Sequence, residues 1–146
     1  MKNKGRLNIQ QIVDETVDYY KDKTRSYGVN GDCSYNGMDT HCAVGRCLLT
    51  KYKEMGQDLP ANESGVECLI EEFVPNTLNP EYNWNGYELD NLIEEKYRGQ
   101  HISFWRELQS LHDDMGYWMD NPNNRHGYVL SYEGAKKVRK IIKQYS

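Results

Sequence analysis

Apolar residues near the start of the chain recur with helical rather than alternating spacing. Ile9, Ile12, Val13, Val17 and Tyr20 stand mostly three or four apart, with Asp, Glu and Lys between them, which predicts an amphipathic helix over residues 8–27. Asn8 is placed to cap its start and Gly28 to end it in the left-handed conformation. A second stripe, Val44, Leu48, Tyr52 and Met55, predicts a helix from Ala43 or Gly45 to Met55. Between the two, "CSY" and "THC" flank "NGMD", whose Asn-Gly pair is a turn signal, so residues 32–43 read as a small β-hairpin.

Further along, Ser64 and Glu67 have capping-box spacing in front of Val66, Leu69, Ile70 and Phe73. Residues 74–86, "VPNTLNPEYNWNG", hold two prolines and four asparagines and read as an irregular loop. Helices are predicted at 87–97 and at 103–115 behind Ser103. "DNPNNRHG" reads as a turn before a last helix from Ser131. Glu133 in its first turn and Lys136, Lys137, Arg139, Lys140 and Lys143 beyond follow the order that the helix dipole favours. About five helices and one small hairpin make a mainly helical α+β domain, and 146 residues fit one such unit spanning 1–146.

A chain of this length buries roughly two-thirds of its unfolded surface, so it needs neither metal nor disulfide merely to fold. Twelve tyrosines and three tryptophans mean that much of the core must come from aromatics with polar tips. The opening residues hold no run suited to a signal peptide and no segment approaches a membrane span, which points to a cytosol where thiols stay reduced. The net charge of −4 is unevenly spread: residues 54–95 carry eleven acidic residues and no Lys or Arg. The ends are therefore basic and the middle acidic, a pattern either of solvated helix faces or of an interaction surface.

Candidate chemistry gathers in "DCSYNGMDTHCAVGRCLL", residues 32–49. Cys33, Cys42 and Cys47 have C-x8-C-x4-C spacing, so a zinc site would need His41 or a distant residue such as His112 as fourth ligand. Alternatively Cys42 before a helix start would be a reactive thiol, with His112 as base and Asp113 as its orienter. Packing is the plain alternative, since free cysteine behaves as a small hydrophobe. Gly45 and Arg46 at a helix start are suited to meeting an anion, or Arg46 is an idle surface residue. In "SFWRELQSLHDDMGYW", Phe104, Leu108, Leu111 and Met115 share one helical face, and Trp105, Gln109 and His112 the adjoining one. Trp, Gln and His in a row suit a planar polar ligand, or Trp105 and His112 simply pack at the core edge. Trp84, on its irregular loop, is either a plug or a ligand platform.

Cys33-x-Tyr35, a turn, Cys42-Ala43-Val44-Gly45 and, later, Leu108-Gln109-x-x-His112-Asp113 together resemble a family of small proteins common in bacteriophages and in bacteria carrying prophages. The resemblance implies no activity or ligand, only a setting: an accessory phage product acting in the cytoplasm of a host bacterium. Many members place Cys or Ala after Cys-Ala-Val-Gly, where this chain has Arg46.

The expectation is a non-enzymatic binding protein without cofactor that counters a bacterial defence. Its partner would be a host small molecule, a nucleotide-like signal held by Tyr35, Arg46, Trp105, Gln109 and His112, or a basic host protein met by the acidic 54–95 surface. The pocket version is preferred because the family-like residues cluster there. The rival from another class is a thiol-dependent hydrolase or transferase using Cys42 or Cys33 with His112 and Asp113. A zinc-stabilised interaction module built on Cys33, Cys42 and Cys47 stands behind that. DNA binding through the 136–143 patch ranks below these, a membrane is not expected, and the oligomeric state is left open. The ligand-capture version and its catalytic rival both require the segment holding Cys33 and Cys42 to rest against the helix bearing Trp105 and His112.

Overall fold

The computed structural model describes residues 5–21, 42–59 and 65–146. The hairpin expected at 32–43, with Cys33, Tyr35 and His41, lies outside the described residues, as do Gly28 and Ser64. Among those described, five α-helices, α1 (Ile9–Tyr19), α2 (Thr50–Lys53), α3 (Val66–Phe73), α4 (Ile102–Asp113) and α5 (Tyr132–Tyr145), accompany one two-stranded antiparallel hairpin, β1 (Trp118–Asn121) and β2 (Asn124–Leu130). The chain is thus a mainly helical α+β fold.

α1 begins where its cap is written. Asn8 Oδ1 accepts the Gln11 N–H at 2.8 Å, and Gln11 Oε1 accepts the Asn8 N–H at 2.9 Å. It ends at Tyr19, short of the expected 27: the Tyr20 backbone leaves the helical path at φ −91° and ψ 0°, and its ring packs in the core against Trp118, with centroids 5.6 Å apart. The Tyr20 carbonyl then accepts the Tyr128 N–H at 2.7 Å, tying α1 to β2.

The single helices expected at 43–55 and 87–97 are both broken. Residues Gly45–Cys47 form one 3-10 turn, and Leu48 then runs extended to pair with Ile93. Leu49 N–H donates to the Leu92 carbonyl and Glu94 N–H to that of Cys47, both at 2.9 Å. The 87–97 segment accordingly splits into 3-10 turns at Glu88–Asn91 and Glu95–Tyr97, on either side of Ile93. Val44, Leu48 and Tyr52 are buried as their spacing implied, although the extended step at Leu48 and Leu49 parts the 3-10 turn from α2 and no single helix joins them.

α4 starts one residue earlier than expected, with His101 as its cap: His101 Nδ1 accepts the Ser103 N–H at 3.1 Å. It packs against both α3 and α5. Ile102, Phe104, Trp105, Leu108, Leu111 and His112 are consequently all buried, a broader face than one stripe. Met115, expected on that stripe, lies past the helix end and is 62% exposed. What reads as a turn at 120–127 is the tip of the β1–β2 hairpin, paired Trp118↔Leu130 through Asp120↔Tyr128 with a register shift before Asn121. The Trp118 indole N–H donates to the Leu111 carbonyl at 2.8 Å.

α5 is capped as expected: Ser131 Oγ accepts the Gly134 N–H at 3.1 Å and donates to the Gly116 carbonyl at 2.7 Å. Gly134 sits so close to the chain before β1 that an added Cβ would lie 2.0 Å from the Tyr117 carbonyl oxygen, so only glycine fits there. The core is one contiguous cluster drawn from every helix. No helix of the described residues is long and apolar enough to cross a membrane.

Candidate functional site

Val44 and the middle of α4 meet. The Val44 N–H donates to Gln109 Oε1 at 3.3 Å, Gln109 Nε2 donates to Asp113 Oδ1 at 2.9 Å, and His112 Nδ1 lies 2.8 Å from the same oxygen. A carboxylate oxygen only accepts, so Nδ1 carries the imidazole proton. Cys42, Gln109, His112 and Asp113 therefore share one locale. Tyr35 and Cys33 are not among the described residues.

Their burial, however, suits packing better than catalysis. Cys42 and His112 are both fully buried, and the His112 ring lies against Tyr20 at 5.4 Å. Burial pushes the Cys42 thiol well above its ordinary range and the Asp113 charge adds to this. The Gly45 N–H, 3.4 Å from Sγ, the Val44 N–H and the Gln109 side chain pull the other way without matching it. The N–H groups expected to favour a thiolate are thus in place, but a thiolate there has lost its water. Burial likewise raises Cys47 to about 11, the Arg46 charge offsetting only part of it. Cys47 Sγ donates to the Ala43 carbonyl at 3.5 Å. Among the described residues no three His, Cys, Asp or Glu side chains gather as a metal site would need.

Trp105 is fully buried, edge-on to Phe104 with centroids 5.1 Å apart. Its indole N–H has no hydrogen-bond partner among the described residues. It has no free face for a planar ligand.

Arg46 is neither an anion clamp nor an idle surface residue. It is 6% exposed and points at α1. One terminal nitrogen donates to Glu15 Oε1 at 2.5 Å and Tyr97 Oη at 3.1 Å, the other to the Ile12 carbonyl at 3.2 Å and to Thr16 Oγ1. Burial acts to raise the Glu15 carboxyl, but the hydrogen bonds from Tyr97 and Arg46 outweigh it and hold the carboxyl below its ordinary value. Arg46 is a tie between α1 and the central segment.

Accessible chemistry lies beside the locale of Cys42 and His112, where Gln109 and Asp113 also reach the surface. An open groove of about 730 Å³ runs between α3 and α4, lined by Val66, Glu67, Gln109, Asp113, Asp114 and Met115 among others. Arg106, also in its wall, is paired with Glu67. That pair separates the groove from a second hollow of about 420 Å³, whose walls include Glu71, Trp84, Asn85 and His101. Across both, four carboxylates face one guanidinium. Of the expected ligand residues that are described, Arg46, Trp105, Gln109 and His112, only Gln109 lines this groove. The acidic bias of residues 54–95 was the sequence signal for Glu67 and Glu71. Asp113 and Asp114 come from α4 and its end.

The loop beside the second hollow is ordered from within. Glu88 is buried, and its carboxylate accepts the Asn85 and Gly86 N–H groups and the Tyr82 hydroxyl, each at 3.0 Å. Burial works to raise this carboxyl, but the hydrogen bonds keep it below its ordinary value. Gly86, with φ +90°, passes so close to His101 that a Cβ would fall 2.0 Å from its Nε2. Its carbonyl accepts the Ile102 N–H at 2.7 Å, locking the loop to the start of α4.

On α5, Lys136, Arg139, Lys140 and Lys143 are exposed around a hollow of about 640 Å³, while Lys137 pairs with Glu107. Acidic and basic surfaces thus belong to different elements. In comparisons with known proteins, no family model, curated protein or solved structure matches the chain.

Proposed function

We propose that this chain is a non-enzymatic accessory protein that docks onto a basic host protein through the acidic groove between α3 and α4. In the phage setting that the sequence resemblance implies, such docking would block a component of bacterial defence, at a surface where the host protein otherwise meets nucleic acid or another acidic partner. The observation that carries this reading is the groove itself: open, lined by Val66 and Met115 together with Glu67, Asp113 and Asp114, with its Arg106 already paired. Such a surface attracts cations and repels phosphates, and opposite charge speeds encounter with a basic partner.

The nucleotide-trap version loses support because Trp105, His112 and Arg46 are buried, leaving Gln109, among the described ligand residues, beside carboxylates. The thiol-enzyme version is weakened because Cys42 is fully buried and its thiol is held protonated. Affinity capture from host cells tests the proposal, using the wild-type chain and Asp113→Lys/Asp114→Lys as baits and measuring purified partner at two salt concentrations. The wild type should retain a basic protein that the charge-reversed bait loses, with binding weakened at least tenfold between 50 and 200 mM salt, an order set by screening of several charges. Cys42→Ala should bind as well as wild type. Equal capture by both baits, or affinity indifferent to salt, would overturn the proposal.

A further inference from the structure

Trp84 is 38% exposed, whereas Trp105 and Trp118 are buried, and it stands on a loop with an unusual density of internal ties. Glu88 gathers three hydrogen bonds from that loop, Gly86 is wedged on His101, and Tyr82 supports the Trp84 indole edge-to-face with centroids 5.7 Å apart. An aromatic held open by an ordered loop is preorganised to bind, since no side chain must be immobilised afterwards. The hollow beside it is walled by exposed Glu71 and by Glu67. A guanidinium is already seated in this wall, in the Arg106–Glu67 pair.

We infer that Trp84 and Glu71 form a seat for an arginine side chain of the basic protein partner. The inference rests on the docking reading above and names what the partner inserts at the α4 start of the groove. Arginine fits better than lysine because its planar guanidinium stacks on an indole face while its N–H fork meets a carboxylate. An anion is disfavoured by both glutamates. The remaining carboxylates, Asp113 and Asp114, lie at the other end of α4, on the order of 15–18 Å away by helical rise, so an arginine-rich segment of about five or six extended residues spans the groove.

Fluorescein-labelled hexaarginine provides the probe, with anisotropy reporting binding and tryptophan emission reporting contact with Trp84. The wild type should bind hexaarginine several-fold more tightly than hexalysine and ignore hexaglutamate, with emission quenched in step with binding. Glu71→Gln and Trp84→Phe should each weaken hexaarginine about three- to tenfold, and Trp84→Phe should abolish most of the quenching. Asp113→Asn/Asp114→Asn should weaken binding but leave the quenching at saturation. Peptide that binds, loses affinity in the Asp113/Asp114 variant and is indifferent to Glu71→Gln and Trp84→Phe would overturn the arginine seat while leaving the docking groove standing. No binding of hexaarginine at 25 mM salt would remove both. Equal affinity for hexalysine, quenching by millimolar choline as strong as by peptide, or self-association of the chain that quenches Trp84 without peptide would each assign the hollow a different occupant and overturn the seat.

Discussion

Replacing Glu15 by alanine removes the carboxylate facing a guanidinium that has almost no contact with water. Arg46 is 6% exposed and keeps Tyr97, the Ile12 carbonyl and Thr16 as partners, but none of these carries a neutralising charge. Stranding one member of a fully buried ion pair costs about 3–5 kcal/mol. The Glu15 side chain is itself 38% exposed, so water substitutes in part, and the expected loss is about 2 kcal/mol. For a chain of this size that lowers Tm by about 4–8 °C. Arg46→Met removes the charge and fills the space. Glu15 then hydrates, Thr16 still donates to the Ile12 carbonyl at 2.8 Å, and the cost is about 1 kcal/mol or less. The double variant should therefore cost little more than Arg46→Met alone, giving a coupling of about 1.5–2 kcal/mol, in the range seen for contacting pairs. Urea unfolding followed by circular dichroism measures all four corners of the cycle. Additive losses, or a Glu15→Ala loss below about 0.5 kcal/mol, would refute the view of Arg46 as a buried tie.

Three further outcomes follow from other parts of the molecule. Iodoacetamide at pH 8 should label Cys68, which is exposed, while Cys42 and Cys47 react only after unfolding, as read by peptide mass spectrometry; rapid native labelling of Cys42 would revive the thiol-enzyme reading. Because the Glu15 and Glu88 carboxyls are held below their ordinary 4.5, their contribution to stability is present above that pH and drains away as pH falls through the lowered values. Tm should therefore drop below pH 4.5, and less steeply in Glu88→Gln than in wild type. Gly86→Ala places a side chain at positive φ and into the His101 ring, costing about 2–3 kcal/mol and making Trp84 more open to acrylamide quenching; an unchanged Tm would show that the loop is not built as described.

What the chain reveals by itself is mostly what depends on near neighbours. The starts of α1 and α5 were legible because Asn8 with Gln11 and Ser131 with Gly134 act within three residues. The periodic segments around Leu48 and Ile93 misled because their backbones pair with each other, and a partner 45 residues away leaves no trace in local spacing. The hairpin at 118–130 was hidden by a turn rich in Asn and Pro but lacking an Asn-Gly pair at its tip. At the site, the ligand-binding reading required the Cys42 segment to meet α4, and the plain alternative of packing named the burial that Cys42, Trp105 and His112 show. Trp105 and His112 look free on a helical wheel of α4 alone and are enclosed once α4 packs against α3 and α5 and Tyr20 closes on His112. Trp84 was visible as a candidate platform, but the Glu88 clasp that holds its loop could not be read from spacing.

Native mass spectrometry of the chain purified from host cells in which it acts, sprayed at low and at raised ionic strength, tests the central claim most directly. The expected result is a complex with a basic protein that falls apart as salt rises, with no retained nucleotide-sized adduct. A salt-resistant small-molecule adduct on the chain, or a bare chain under every condition, would contradict it.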